Sequence, residues 1–454
     1  MGITRTGIID APLDEVFAWH GRPGAVVRLT PPWLPLRVKS EAASLASGRA
    51  VLGLPGGLRW IARHDPAVYD PPHRFADVLA RDGLRSVPLS VLLSWRHTHR
   101  FEEAGDGCTL VTDRVDTPIP AALLRQTFAY RHRQLDADLR AHRRATEQGV
   151  RPHTVAISGS SGMIGSALAA FLSTGGHRVI RLVRHAPHGP DERRWDPLDP
   201  AADLLTGVDA VVHLAGAPIA GWFNERHRRV VRDSRVEPTR LLAKVATRTE
   251  DGPHTLVTAS AVGYYGYGRG DEVLGEDQER GDGFLADVVA DWETASSVAE
   301  ESGLRVVRVR TGIVQSPAGG MLRVLYPIFA AGLGGRLGGG REWMSWIDLD
   351  DLVDIYHRAI VDPRLSGAVN AVAPAPVRNV DYTRTLAHTL SRPAIVPIPR
   401  FAPALLLGRQ GMTEMALADQ RVVPDKLDAL GHSFRHSELE AALRHQLGRV
   451  ESVS

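Results

Sequence analysis

The chain has 454 residues, 43% of them hydrophobic, with 54 basic and 52 acidic side chains and a formal net charge of +2. This composition excludes a wholly disordered chain, and the length suits about three domains. No acidic or basic block stands out, so we expect neither a nucleic-acid partner nor a membrane-surface partner. The single cysteine, Cys108, excludes an intrachain disulfide and a multi-thiolate metal site.

Residues 1–146 have the pattern of an α+β domain. The clearest predicted strands are Ile3–Ile9, Val91–Glu102 and Thr109–Asp116, and a long helix is predicted after Pro120. One face of that helix carries apolar residues at helical spacing, namely Leu124, Phe128, Leu135 and Leu139. This order of elements, together with the segment Trp95-Arg-His-Thr-His-Arg-Phe101, resembles that of the START-like, polyketide-cyclase-like helix-grip fold. The resemblance implies a cavity between sheet and helix that holds an apolar ligand.

Two histidines of this first part, His97 and His99, fall on the same face of their predicted strand. Such a pair suits a metal ion, but the sequence identifies no third ligand, and Cys108 does not stand at a ligand spacing. We therefore predict no metal site. Two interpretations stay open: a polar patch that touches a ligand in the cavity, and structural histidines with hydrogen-bond partners.

A glycine-rich turn follows the predicted linker at residues 147–153. The strand Thr154–Ser158 leads into Gly159-Ser-Ser-Gly162-Met-Ile-Gly165, and a helical run comes next. Within a βαβ unit such glycines permit a tight turn, the approach of backbone N–H groups to a pyrophosphate, and close packing of helix and strand. The whole turn is predicted to contact a cofactor: Gly159, Ser160, Ser161, Gly162, Met163, Ile164 and Gly165.

The end of the next strand indicates which dinucleotide is bound. NAD-preferring proteins carry an acidic residue about 20 residues after the glycines, where it binds the ribose 2′-hydroxyl. Here that place holds Arg184, and a guanidinium suits a 2′-phosphate, so we predict NADP(H) rather than NAD(H). Further cofactor contacts are expected from Leu214-Ala215-Gly216, at the end of a later strand, and from Arg310.

Five segments in combination resemble one family. They are Ile157–Gly165, His213–Ile219, Ser260–Gly266, Gly338–Ile347 and Gln420–Pro424. The chain is similar to the "epimerase family protein" group of atypical extended short-chain dehydrogenase/reductases, which is nucleoside-diphosphate-sugar epimerase-like and carries a C-terminal domain of unknown function. The resemblance implies an α/β Rossmann fold with a doubly wound parallel sheet. We place this Rossmann domain at residues 154–375 and a C-terminal helical domain, packed on it, at residues 376–454.

The chemistry departs from the usual pattern of short-chain dehydrogenases. Those enzymes typically use a Tyr-x-x-x-Lys pair, in which lysine lowers the pKa of the tyrosine. Only three lysines are present, Lys39, Lys244 and Lys426, and no tyrosine stands four residues before any of them. When Glu293 is aligned with the glutamate that follows the pair in extended members, Leu285 and Val289 take the places of tyrosine and lysine.

Three residues remain as catalytic candidates. Ser260 stands at the strand end where the family serine holds a substrate carbonyl, and Tyr264 or Tyr265 is a candidate proton donor. The alternative is that both tyrosines pack beneath the nicotinamide and shape the pocket. Three further residues match family positions and are predicted to line a substrate cleft or to be structural, namely Trp222, Arg235 and Trp346.

The sequence therefore predicts an NADP(H)-dependent oxidoreductase or epimerase-like enzyme that acts on a small organic substrate through a non-standard proton donor. Two alternatives stay open. One is an NADPH-sensing protein without turnover that acts through a partner, and the other is a ligand carrier whose function resides in the first domain. No run reaches the ~18 apolar residues of a membrane span, so a cytoplasmic protein is expected. A homodimer is one option for its assembly, and the apolar run Phe401–Leu407 is expected to pack on the Rossmann core or on a partner.

Overall fold

The computed structural model describes residues 2–449, and the chain divides into two compact units. The first unit contains the chain up to Pro152, together with residues 170–176 and the segment from residue 444 on. The second unit contains residues 153–169 and 177–443. The first boundary lies at the end of the predicted linker, and residues 376–443 belong to the second unit.

The first unit is built on one antiparallel sheet. Its strands are β1 (Gly2–Ile9), β2 (Arg37–Ser40), β3 (Arg49–Gly53), β4 (Arg59–His64), β5 (Arg74–Leu79), β6 (Arg96–Glu103) and β7 (Thr109–Asp116). The helices are α1 (Leu13–Gly21), α2 (Ala25–Leu29), α3 (Val87–Leu92) and α4 (Ala121–Glu147). The spatial order is β1-β7-β6-β5-β4-β3-β2. Strands β2 to β7 therefore form a meander, and β1 pairs with β7 at one edge of the sheet.

Most predicted elements of this unit form where the sequence places them. Strand β7 has the predicted bounds, and the long helix α4 buries Phe128, Leu135 and Leu139 on its apolar face. The predicted strand Val91–Glu102 starts too early, because Val87–Leu92 form a helix with Pro88 in its first turn, where proline is well tolerated. Strand β6 therefore begins at Arg96.

The second unit alternates strands and helices. Its strands are β8 (Thr154–Ser158), β9 (Arg178–Val183), β10 (Glu192–Arg194), β11 (Ala210–His213), β12 (Thr255–Ala261), β13 (Val273–Leu274), β14 (Arg305–Thr311), β15 (Ile313–Gln315), β16 (Trp343–Met344), β17 (Trp346–Asp348), β18 (Gly367–Ala371), β19 (Val377–Arg378) and β20 (Arg421–Val422). Its helices are α5 (Met163–Thr174), α6 (Glu225–Asp233), α7 (Val236–Arg248), α8 (Phe284–Ala295), α9 (Ser297–Glu301), α10 (Gly320–Ala330), α11 (Leu349–Val361), α12 (Asn379–Leu390), α13 (Ala404–Gly411), α14 (Asp425–Ala429) and α15 (Leu439–Gln446). The C-terminal ends of α5 and α15 are assigned to the first unit.

The large sheet of the second unit is parallel and has the order β10-β9-β8-β11-β12-β14-β18. Its central strands β8, β11 and β12 are mostly apolar and buried, as a parallel sheet covered on both faces requires. The direction in which successive strands are added reverses between β8 and β11. Strands β9 and β10 extend the sheet on one side of β8, and β11, β12, β14 and β18 extend it on the other side. In doubly wound sheets this switch point is where ligands bind, at the carboxyl ends of the strands.

The C-terminal part is not purely helical. Strand β20 pairs in parallel with β13, which ties residues 421–422 to the second unit. Three large side chains of the apolar run 401–407 do not pack on a core: Phe401, Leu405 and Leu406 are 66–73% exposed. Of the two predicted alternatives, packing on the Rossmann core is wrong for these three side chains, and packing on a partner stays a prediction. Among residues 2–449 there is no helix both long and apolar enough to cross a membrane.

Candidate functional site

The glycine turn lies at the switch point of the parallel sheet, between β8 and α5. Gly159 has a φ of +70°, and a Cβ there would stand 2.8 Å from the backbone nitrogen of Ala215. A Cβ on Gly165 would stand 2.2 Å from the carbonyl oxygen of Gly159. No L side chain fits either place without movement of the backbone. The first and last glycines are thus required by the turn itself, as a dinucleotide-binding turn demands.

The segment after β11 closes against this turn. The backbone nitrogen of Leu214 donates to the carbonyl oxygen and to the hydroxyl of Ser158, each at 3.2 Å. The same hydroxyl is hydrogen-bonded to His213 Nδ1 at 2.7 Å, and burial lowers the pKa of His213 to about 4. Gly216 is exposed beside these residues. The predicted contacts 159–165 and 214–216 are therefore brought together on the two sides of the switch point.

The remaining turn residues differ in exposure. Ser160 is buried, Ser161 and Gly162 are exposed, and Met163 and Ile164 are half-buried at the start of α5. Backbone N–H groups at a helix start carry partial positive charge, and here they open onto solvent-accessible positions. The turn can therefore present several N–H groups to an anion.

Arg184 directly follows β9, as the sequence predicts, and its side chain is exposed. Within residues 2–449 no hydrogen bond or ion pair engages its guanidinium. Two exposed histidines, His185 and His188, follow it, with their rings 4.8 Å apart. No acidic side chain occupies the position that would bind a ribose 2′-hydroxyl, so the local charge favours an anion.

Arg235 lies beside the segment after β11 and is only 6% exposed. Its Nη2 donates to the carbonyl oxygen of Ala217 at 2.8 Å, and its Nη1 donates to that of Val231 at 2.9 Å. A Cβ on Gly216 would stand 3.3 Å from the guanidinium carbon. Burial lowers the pKa of Arg235 to about 10, so the side chain stays charged at neutral pH, and no carboxylate of the described chain pairs with it.

The two tryptophans predicted with Arg235 have different surroundings. Trp222 is 56% exposed, which suits the wall of a cleft. Trp346 is fully buried, and its indole N–H donates to the carbonyl oxygen of Ala375 at 2.9 Å. Trp346 is therefore structural, which was the other interpretation of its position.

Ser260, at the end of β12, is part of a buried ionic cluster. Its hydroxyl donates to Glu293 Oε1 at 2.6 Å. The two oxygens of Glu293 also accept hydrogen bonds from Arg310, from Nε at 2.8 Å and from Nη2 at 2.9 Å. Because its only hydroxyl hydrogen is given to Glu293, Ser260 has none left for a substrate carbonyl. The predicted carbonyl-holding role of Ser260 does not fit this arrangement.

Arg310 belongs to the same buried cluster. Besides Glu293, its Nη1 donates to the hydroxyl of Tyr265 at 3.0 Å and reaches the carbonyl oxygen of Glu276 at 3.4 Å. The guanidinium is 4% exposed, and all three of its nitrogens are bonded within the protein. A direct cofactor contact for Arg310, which the sequence predicted, is therefore not supported by its geometry.

The two candidate tyrosines are in different environments. Tyr265 is fully buried, and its hydroxyl donates to Asn370 Oδ1 at 2.8 Å or to the carbonyl oxygen of Gly275 at 3.0 Å. Burial raises the pKa of Tyr265 to about 12, which is unsuited to proton transfer near neutral pH. Tyr264 is half-buried, with its ring 3.5 Å from the guanidinium carbon of Arg310. Of the two tyrosines, only Tyr264 can reach a ligand.

The usual Tyr-x-x-x-Lys place is filled by apolar packing. Leu285 and Val289 are both buried on α8. The turn that carries Tyr264 covers them, since a Cβ on Gly263 would stand 3.7 Å from Leu285 and 3.8 Å from Val289. Glu293 served in the sequence comparison only to align the helix. Its contact with Ser260 was not predicted, because the two residues are 33 positions apart and no local pattern joins them.

The first unit contains a cavity of about 470 Å³ between its sheet and α4. Apolar and aromatic residues dominate its lining, among them Leu52, Trp60, Phe75, Trp95 and Phe128. His97 and His99 also line it, and both are buried. His97 Nε2 lies 2.8 Å from Asp113 Oδ1, so this histidine has the hydrogen-bond partner that one interpretation expected.

A parallel sheet of this order with a glycine turn at its switch point defines the class of Rossmann-type nucleotide-binding folds. The model of the NAD dependent epimerase/dehydratase family matches residues 155–372, and a domain of unknown function, DUF1731, matches residues 398–446. The epimerase family protein Mb2239 of Mycobacterium bovis is 46% identical over 300 residues, which cover 65% of this chain and 98% of that protein. The chain therefore belongs to the epimerase family and carries its DUF1731 domain, as the five sequence segments indicated.

Many solved structures are similar to this chain, and two of them are 46% and 33% identical to it. The nucleoside-diphosphate sugar epimerase from Corynebacterium glutamicum is 46% identical with a TM-score of 0.86, covering 98% of this chain and 90% of that one. That similarity includes the antiparallel first unit. The human epimerase family protein SDR39U1, solved with NADPH, is 33% identical with a TM-score of 0.61, covering 65% of this chain and all of that one.

Proposed function

We propose that the second unit binds NADP(H) and uses it in oxidoreduction of a small organic substrate. The observation that carries this proposal is the glycine turn at the switch point, where Gly159 and Gly165 admit no side chain. The family relationship and the NADPH held by the human relative support the same cofactor. When bound, a nicotinamide cofactor supplies or accepts a hydride.

Two arginines support a phosphorylated cofactor. Arg184 is exposed at the end of β9 and suits the ribose 2′-phosphate. Arg235 is a buried cation beside Gly216, without a carboxylate partner in the described chain, and suits a negative group placed against this segment. A buried unpaired charge is costly, so a bound anion would stabilise Arg235 in place.

Arg184→Ala is expected to weaken NADPH binding and leave NADH binding unchanged. Hydrogen bonds to a charged group contribute about 1.5–3 kcal/mol, so the preference for NADPH over NADH should fall about 10–100-fold. Fluorescence titration with each cofactor measures this ratio. Arg181→Ala, an exposed arginine on the same strand, is the matched control and should keep the preference. An unchanged ratio in Arg184→Ala would refute the assignment of Arg184.

Tyr264 is the proposed proton donor. Its ring stacks on the Arg310 guanidinium, so a positive charge lies close to the phenol. Tyr264→Phe should slow reduction of a carbonyl substrate about 100-fold or more, with NADPH binding intact, since general acids contribute factors of that size. Tyr265→Phe is the control: it should mainly reduce stability, by about 1–3 kcal/mol, because it leaves buried partners unpaired. Equal turnover in wild type and Tyr264→Phe contradicts the proposal.

A second candidate function, NADPH sensing without turnover, also has support. Leu285 and Val289 fill the usual catalytic place, and the Ser260 hydroxyl is engaged by Glu293. Both candidates require NADPH binding, and they differ in consumption of the cofactor. If a panel of aldehydes and ketones produces no oxidation of bound NADPH by the full chain, the sensor is favoured.

For the first unit we propose a helix-grip domain that holds an apolar ligand. Its seven-stranded antiparallel sheet, the helix α4 and the cavity between them support this assignment. The cavity of about 470 Å³ is in the range of small-molecule pockets. Displacement of an environment-sensitive apolar dye by candidate aromatic ligands tests it on the full chain.

A further inference from the structure

The pairing of three strands in the first unit brings together four polar side chains, three of which line the cavity. Asp77 of β5 is directly opposite His97 of β6, and Asp113 of β7 is directly opposite His99. Side chains of directly opposed residues on one face lie about 4.5–5.5 Å apart at Cβ. The register therefore alternates carboxylate and imidazole across neighbouring strands.

Asp113 contacts both histidines and holds the ring of His97 by a hydrogen bond. Its Oδ1 is 2.8 Å from His97 Nε2 and 2.8 Å from His99 Nδ1, and its Oδ2 is 2.8 Å from His132 Nε2 on α4. The ring of His99 also stacks on Phe75 at 4.1 Å. A carboxylate accepts only, so His97 and His132 each donate an Nε2–H to Asp113, whereas His99 Nδ1 approaches Oδ1 without hydrogen-bond geometry.

This orientation leaves lone pairs facing one another. With Nε2 of His97 donating to Asp113, the Nδ1 of a neutral His97 carries a lone pair, and it lies 3.5 Å from Asp77 Oδ2. Two electron-pair donors at that distance need a proton or a cation between them. One nitrogen from each of His97 and His99 and one oxygen of Asp77 all lie within 4.8 Å of one another.

We propose that Asp77, His97 and His99 bind a divalent transition-metal ion in the cavity of the first unit. Two imidazoles and one carboxylate are a ligand set that zinc and non-haem iron accept, with further positions left open. Bonds of about 2.0–2.2 Å to zinc require the donors to close in slightly, which small side-chain rotations allow. Asp113 is the positioning residue, because outer-shell carboxylates orient ligating histidines in this way.

The charge of the cluster favours the same conclusion. Asp77 lines the mostly apolar cavity with Glu41, Arg22 and Arg131, and buried Asp113 contacts the two histidines. With neutral histidines, three carboxylates therefore face two guanidinium groups. Burying an unbalanced charge is costly. A divalent cation offsets it and leaves open positions directed at the apolar walls. The ligand that completes the site is then an apolar molecule with one oxygen-bearing donor group.

Two other clusters in the described residues have metal-binding residue types. Asp348, Asp351 and His436 form one, but both oxygens of Asp351 already accept backbone N–H groups, from Arg435 and His436. His185, His188 and Glu192 form the other, which is exposed on the second unit. This exposed cluster must be separated from the cavity site in any measurement.

The test uses the full chain, stripped with EDTA and titrated with Zn²⁺ by calorimetry and with Co²⁺ by visible absorption. We expect a tight site that Asp77→Asn and His99→Gln abolish and that His188→Gln leaves intact. Asp113→Asn should weaken it about 10–100-fold. Circular dichroism of each variant verifies the fold, and the nearly isosteric Asp77→Asn is the mildest change.

The Co²⁺ spectrum adds a measurement that is independent of protein stability, because its ligand-field bands report nitrogen ligands. Absence of tight binding in the wild-type chain, or binding lost only in His188→Gln, would overturn the proposal. Binding unchanged in both Asp77→Asn and His99→Gln would overturn it as well. The first of these outcomes would mean that a proton on His97 bridges Asp77 and Asp113.

Discussion

Replacing Glu293 with alanine is expected to reduce the free energy of unfolding by about 3–5 kcal/mol, since removal of one partner of a buried ion pair leaves the other charge uncompensated. Glu293 holds Arg310 through two hydrogen bonds, at 2.8 and 2.9 Å, and accepts a third from Ser260. The Arg310 guanidinium is 4% exposed, so water cannot replace the carboxylate. Urea unfolding of the full chain, followed by circular dichroism, measures the change.

Glu300→Ala is the matched control for this prediction. Glu300 pairs with Arg308 at 2.6 Å, but its side chain is 49% exposed. An exposed pair contributes about 0–1 kcal/mol, so the control should unfold almost as the wild type does. If Glu293→Ala proves as mild as Glu300→Ala, the cluster behind Ser260 does not exist as described.

Gly165→Ala is expected to weaken NADPH binding strongly. The added Cβ would stand 2.2 Å from the carbonyl oxygen of Gly159, so the turn must open. Overpacking of this kind costs about 1–3 kcal/mol. If that cost falls on the cofactor-bound state, the affinity for NADPH drops about fivefold to more than about a hundredfold. Titration of the variant with NADPH gives the dissociation constant.

Gly189→Ala separates this effect from a general cost of replacing glycine. Gly189 has no heavy atom within 4 Å of an added Cβ and no positive φ, so alanine should be accommodated. Thermal unfolding of both variants shows whether the fold survives. Full NADPH affinity in a folded Gly165→Ala would contradict the role given to the turn.

Much of the fold could be predicted because its signals are local. Strands β7 and β8 form with the predicted bounds, since period-two alternation and a short apolar run are read directly from the sequence. The glycine turn was predictable for the same reason: a strand, three spaced glycines and a helix follow one another. Strand β6 was misplaced at its start, where apolar residues near Pro88 form a helix instead.

The candidate site was predictable only where its residues are consecutive. The contact of Ser260 with Glu293 joins residues 33 apart, and the hydrogen bond of Tyr265 to Asn370 joins residues 105 apart. Alternation placed His97 and His99 on one face, but Asp113 enters the cluster through strand register, which local patterns do not encode. Burial then decided between Tyr264 and Tyr265, which the sequence left equivalent.

The most direct test of the central claim is a titration of the purified full chain with NADPH and with NADH, followed by energy transfer from tryptophan to the nicotinamide. We expect saturable binding of NADPH and clearly weaker binding of NADH, because Arg184 stands where NAD-binding proteins carry an acid. Absence of binding by either cofactor, or a preference for NADH, would contradict it.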